Sequence, residues 1–285
     1  MPRTNTVTPR SRTLAASIRE VRKETGSGVR ELARRIGVLP QLLSQWEYGH
    51  RTPRLEDVTA ILGALGVVGH RKQQILTLAK GASEPGWITY GTPGMQLAAV
   101  IECEKAAGSI VEWSAMGIPG LLQTPAYARA LFGSWSSSEH EVDQKVMVRL
   151  ERRRIIVGSE PTPFEALIGE AALRERLGTP AVMAEQLRFL AEISEFRTIT
   201  VRVVPARCGW HPGIPGPFIV YSFPDKSAVV YFEHLSSGAF VPDDHDVRKY
   251  RAAVKGIQAV AMSPAESSSF LIGLAEEVDR GEDWS

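Results

Sequence analysis

Residues Ser27–Pro53 read SGVRELARRIGVLPQLLSQWEYGHRTP, and this stretch decides how the N-terminal part of the chain folds. Val29, Leu32, Ala33 and Ile36 recur at helical spacing, and Gly37 stops that helix. A second helix opens near Pro40, whose missing N–H is an orphan in the first turn anyway. Leu43 and Trp46 form its apolar side, while Gln41, Ser44 and Gln45 form the other. Gly49 ends it, and Arg51, Pro53 and Arg54 follow. Two short helices joined by a tight turn, the second carrying amide and hydroxyl groups at its front, are what a DNA-reading helix-turn-helix requires.

Ahead of this stretch a helix is expected over Thr13–Glu24, with Leu14, Ile18 and Val21 inward. A following helix is expected over Leu55–Leu65, with Leu55, Val58, Ile61, Leu62 and Leu65 on one face, and another over His70–Lys80. That makes an all-α domain of five helices over residues 13–80. Residues 1–12 read as a disordered basic tail, with Arg3, Arg10 and Arg12 among Thr, Ser and Pro. The net charge of +1 hides an asymmetry: residues 1–80 hold 14 Lys/Arg against 6 Asp/Glu, and residues 81–285 hold 19 against 26. A basic N-terminal unit suits a phosphate backbone, and the acidic remainder argues against the whole chain wrapping DNA.

The stretch Glu31-Leu32-Ala33, Gly37-Val38, Ser44-Gln45-Trp46-Glu47, Gly49 and Pro53 resembles the lambda-repressor-like, or XRE, family of DNA-binding domains. The resemblance implies that Gln41 and Gln45 enter the major groove, where Gln pairs in bidentate fashion with adenine. Ser44 and Leu42 are secondary candidates for base readout, Leu42 through a thymine methyl. Arg30, Arg34, Arg51 and Arg54 flank that face as phosphate contacts, which position without specifying. Glu47 matches a position that pairs with an arginine on the first helix in phage-type relatives, and Arg22 stands in the matching place. One departure is Leu39, where a Ser or Thr cap is usual, so the helix start leans on Pro40.

Residues 81–94, GASEPGWITYGTPG, have linker composition. The second unit, expected over 95–278, opens with a helix near Gln96–Ala107 and an extended stretch Ser109–Trp113. Thr124-Pro125 starts a helix to Phe132, and a long helix over Glu139–Val157 ends in Arg149, Arg152, Arg153 and Arg154. Strands are expected at Phe164–Ile168, Ile199–Val204, Phe218–Phe223 and Val229–Phe232, with helices at Ala171–Arg176 and Pro180–Glu195 between the first two. A helix at Asp246–Ala261 and a last one, started by Ser263-Pro264 and running through Ser267 to Val278, close the unit ahead of an acidic tail, 279–285. The expected class is α+β, with an all-α domain followed by a larger domain around a small sheet of about four strands.

IPGLLQTPAYARAL, the Arg-rich helix, GEAALR, the GWHPGIPGPF loop and YFEHL resemble the C-terminal domain of unknown function of actinobacterial XRE regulators, WhiJ-like and described as antitoxin-like. The resemblance implies a developmental regulator and a small acidic partner protein encoded nearby.

Glu170, His211, Glu233 and the arginines invite an acid–base reading, yet no nucleophile elbow, metal-ligand spacing or phosphate loop accompanies them. No enzyme activity, metal or cofactor is therefore expected. A ligand or partner pocket is expected instead from Glu170, Trp210, His211, Glu233, Arg149 and Arg153, since pockets join apolar walls to few polar groups.

The N-terminus lacks the apolar core of a signal peptide, no apolar run approaches the roughly 20 residues of a membrane helix, and Cys103 and Cys208 form no motif. A cytoplasmic, nucleoid-associated protein without structural disulfides is expected. The reading is a sequence-specific transcription regulator, a homodimer on paired half-sites of double-stranded DNA, whose C-terminal domain dimerises, senses a ligand or binds a small partner. The alternative is an antitoxin-like module that sequesters the partner and autoregulates its own operon.

Overall fold

The computed structural model describes residues 9–81, 88–89, 93–136, 138–225, 227–234 and 238–281. They form two compact units. The first comprises the chain up to Ala106 together with Asp225–Val247, and the second comprises Ala107–Pro224 and Arg248 onward.

The first unit is built on α1 (Pro9–Glu24), α2 (Val29–Arg35), α3 (Pro40–Glu47), α4 (Leu55–Ala64) and α5 (Gly69–Gly81). Leu14, Ile18, Leu32, Leu43, Ile61 and Leu62 are wholly excluded from solvent, one stripe from each of the first four helices. Helix α1 starts at Pro9, inside the stretch expected as a tail, and the side chains of Ser11 and Thr13 are buried. The reason is a further helix, α6 (Pro93–Ala106), packed on α1. Arg12 lies within 3.7 Å of Asp225, and its guanidinium is destabilised mainly by burial. The two-residue strand β1 (Ile88–Thr89) falls inside the expected linker. It pairs antiparallel with β7 (Gly238–Val241), which pairs antiparallel with β6 (Ala228–Glu233). Tyr231 and Phe240 pack with ring centroids 4.6 Å apart, and Gly238 lies where a Cβ would meet the Tyr231 ring at 2.7 Å.

The second unit holds four strands in the order β5-β2-β3-β4. They are β2 (Ser109–Ser114), β3 (Phe164–Gly169), β4 (Ile199–Val204) and β5 (Phe218–Ser222). The pairs β2–β3 and β3–β4 are parallel, and β2–β5 is antiparallel. Parallel neighbours need long crossovers. The first uses α7 (Pro125–Gly133) and α8 (Glu139–Val157), and the second uses α9 (Glu170–Arg174) and α10 (Pro180–Ile193). Then α11 (Asp244–Gln258) and α12 (Pro264–Asp279) follow, the latter running into the expected acidic tail. Thr124 and Ser263 cap α7 and α12 through their side-chain oxygens, each ahead of a proline at the first position. Ser267 is fully buried because its hydroxyl accepts from the Val203 N–H at 2.9 Å and donates to the Ser263 carbonyl, joining α12 to the β4 edge.

The class is therefore α+β, and the strand count is corrected: six strands, β2 to β7, stand among the described residues of 95–278 against about four expected there, and β1 precedes them. Four of the expected strands are found, and the extended stretch Ser109–Trp113 is β2. The two short strands β1 and β7 have no clear period of two, being two and four residues long.

Candidate nucleic-acid interface

The turn between α2 and α3 is made by Gly37, at φ 72°, a conformation that costs residues with a Cβ about 1–2 kcal/mol. Its N–H donates to the Arg34 carbonyl at 3.3 Å and the Val38 N–H to the Ala33 carbonyl at 2.9 Å, closing α2 with a Schellman motif. Helix α3 then opens with Leu39 at the cap and Pro40 in the first turn. Leu39 offers no side-chain acceptor, and a missing cap costs about 1 kcal/mol.

Leu43, Trp46 and Glu47 bury one side of α3. Gln41 and Gln45 are exposed, while Ser44 and Leu42 are half-buried. Leu39, at the front of the helix, is 68% exposed, whereas Leu42, expected from the sequence to touch a thymine methyl, is half-buried. Tyr48, just past the end of the helix, is exposed too. It stacks near His50 with centroids 6.4 Å apart, and the Arg19 guanidinium lies 5.5 Å from its ring centroid. Periodicity could not announce these three, because cap and post-helix positions lie outside the helical repeat.

Arg30, Arg34, Arg51 and Arg54 are all exposed, and none of them is in an ion pair among the described residues. The Arg51 N–H donates to the Gln45 carbonyl at 3.2 Å, which ties the segment after α3 back onto it. The Arg54 N–H donates to the Asp57 carboxylate at 3.0 Å at the start of α4. Arg35 is different: its guanidinium donates to the Ala64 carbonyl at the end of α4.

Arg22 and Glu47 are brought together. Arg22 Nε donates to Glu47 Oε1 at 2.5 Å and Nη2 to Oε2 at 2.8 Å, a bidentate fork. Nη1 donates to the Ser27 carbonyl at 2.8 Å. The hydrogen bond to Glu47 holds the guanidinium pKa above its ordinary value, and Glu47 is 2% exposed. The pair fixes α3 against α1 and the start of α2, so the exposed face of α3 is presented by a rigid frame.

The residues expected to share a pocket are distributed otherwise. Glu233 ends β6 in the first unit and is exposed; the other five belong to the second unit. Arg149 lies over the Phe132 ring at 5.3 Å, and a Cβ on Gly120 would collide with its guanidinium. Arg153 lies 4.7 Å from the Phe189 ring centroid and donates to the Gln123 carbonyl, and burial lowers its pKa. Gln186, fully buried, grips the same segment by accepting from the Thr124 N–H at 2.7 Å and donating to the Leu122 carbonyl at 2.8 Å. These side chains hold the 3-10 turn Gly120–Leu122 in place.

Glu170 is partly buried, which raises its pKa. Hydrogen bonds from Arg174 and the Ala206 N–H outweigh that, leaving the carboxyl below its ordinary range. His211 Nδ1 accepts from the Gly213 N–H at 3.2 Å, and its ring meets Trp113 edge-on at 5.4 Å. Trp113 Nε1 donates to the Gly213 carbonyl at 2.8 Å, and a Cβ at Gly213 would lie 2.7 Å from the indole. The loop is thereby locked, while Trp210, 77% exposed, and Ile214, 57% exposed, project from it.

Among the described residues no group of His, Cys, Asp and Glu is arranged to hold a metal, both cysteines are free, and no helix is long and apolar enough to cross a membrane.

Comparison with known families matches residues 18–80 to the helix-turn-helix model, which makes the first unit's α1–α5 a DNA-binding domain. Residues 97–273 match the model described as a domain of unknown function, DUF5753. No curated protein and no solved structure matches the chain. With that model spanning well over half of its length, the chain belongs to the DUF5753 family, as a member that carries an XRE-type helix-turn-helix at its N-terminal side.

Proposed function

We propose that the chain is a sequence-specific transcription regulator that binds operator DNA as a homodimer and has no enzymatic activity. The observation that carries this reading is the exposed front of α3, with Gln41 and Gln45 open to base edges and, on the flanking segments, four exposed arginines that are in no ion pair among the described residues. Amides read adenine in the major groove, and the arginines supply the phosphate term. A single module of this size reads few base pairs, and paired half-sites about one helical turn apart supply the missing specificity.

For the C-terminal part we propose a regulatory role exercised through protein contact, whether with a second copy or with a small partner as in WhiJ-like regulators. Support comes from the 205–217 loop: a rigid base that presents an indole and an isoleucine to solvent is the makeup of a binding hot spot. The internal engagement of Arg149, Arg153, Glu170 and His211 supports contact over catalysis.

The test is footprinting on an operator selected from random duplexes, with the mass of the complex measured in parallel. Two chains protecting two half-sites about 10 base pairs apart are expected. A single protected half-site bound by one chain would refute the homodimer.

A further inference from the structure

We propose that Leu39 is a specificity-determining residue that reads the 5-methyl group of a thymine in the major groove. This rests on the DNA-binding reading of α3 and adds a readout that the glutamines do not supply.

Leu39 is a large aliphatic side chain left 68% exposed at the cap of α3. Exposure on this scale gives the fold no burial, and the position is one where Ser, Thr, Asp or Asn would stabilise the helix. The leucine therefore costs the helix a cap and gives the domain no burial in return. It is also outside the usual hydrophobic staple, which joins the residue before the cap, Val38, to Leu43. The neighbours are polar: Gln41 and Gln45 are exposed on the helix that Leu39 opens, and Arg34 is exposed on the helix before it. Of its neighbours only Pro40 is a further exposed apolar residue, and two such side chains among amides and guanidinia do not form a protein-docking patch. On a major-groove surface Leu39 has one apolar counterpart, the thymine methyl. Residues at the N-terminal end of a recognition helix are the ones that reach base edges. Leu42, the other leucine at the front of α3, is half-buried and so less available for that contact.

Removing one methyl contact corresponds to about a fourfold change in affinity. The experiment uses the full chain and the operator it enriches from a random duplex library. Each thymine in turn is replaced by uracil, which deletes the methyl and keeps the pairing. The wild type is expected to bind about fourfold more weakly at one thymine per half-site. Leu39→Ala and Leu39→Ser should both bind thymine and uracil operators equally there. Leu39→Ser should also raise the melting temperature by a few degrees, because a cap is restored. Uracil tolerated at every position by the wild type, or thymine preference surviving in both variants, would overturn the role of Leu39 and leave DNA binding intact. Failure of the wild type to enrich any sequence would overturn the DNA-binding reading and this inference with it.

Discussion

Glu47 is a carboxylate with almost no access to water, and it is tolerable there only because Arg22 meets both of its oxygens. Removing one member strands the other charge, at a cost of about 3–5 kcal/mol in buried settings. Arg22→Ala should therefore lower the thermal stability of the first unit by several degrees or more, measured by calorimetry. A loss within error of wild type would mean that the fork contributes nothing. Arg51 stands at the other extreme, exposed and in no ion pair among the described residues. Arg51→Ala should leave stability alone, weaken binding to all duplexes and reduce the slope of log affinity against log salt by about 1. A loss confined to one DNA sequence would assign it to base readout instead.

At this scale the sequence was uneven in what it disclosed. The type of a residue and its offset from Gly37 identify the face of α3. They do not separate Arg35, which caps the end of α4, from Arg34, which stays in solvent. Nor do they show that Arg149 and Arg153 turn inward onto Phe132, Phe189 and the Gly120–Gln123 segment, because the partners lie up to 36 positions away along the chain.

At the scale of elements, local signals held where they were chemically strong. Glycines at φ near 70° end α1, α2, α3 and α4, and proline with a Ser or Thr cap starts α7, α10 and α12. Helix α1 begins earlier than its composition suggests, because Ser11, Arg12 and Thr13 are covered by tertiary packing that no local pattern encodes. Strands β1 and β7 were not legible for a different reason: each is too short to show alternation.

Helix α9 shows an element held by a titratable group. Glu170 binds Arg174 and the Ala206 N–H, so the start of α9 and the loop after β4 share one carboxylate. Its pKa is depressed in the folded state, so this stabilisation is full above the ordinary Glu value of about 4.3 and fades as pH falls through the folded value. Glu170→Gln should be less stable than wild type by about 1 kcal/mol at pH 7, and the gap should narrow as the pH is lowered below 4. Urea titrations across that range measure it, and a gap independent of pH would show that the charge plays no part.

For the molecule as a whole, charge asymmetry and the helix-turn-helix stretch were enough to locate the DNA-binding domain, and the family match agrees with them. The unit boundaries were not readable. Residues 93–106 and 225–247 belong to the compact unit that holds the DNA-binding helices, although the DUF5753 match runs from 97 to 273. A linker of Gly, Pro and Ser marks where a chain can turn, and carries no information on which segments later pack together.

Whether α3 reads base sequence is decided by selection from a random duplex library with wild type and Gln45→Ala. The wild type should enrich a motif of paired half-sites, and Gln45→Ala the same motif with one position per half-site relaxed. Identical motifs from both proteins would mean that Gln45 on α3 reads no base.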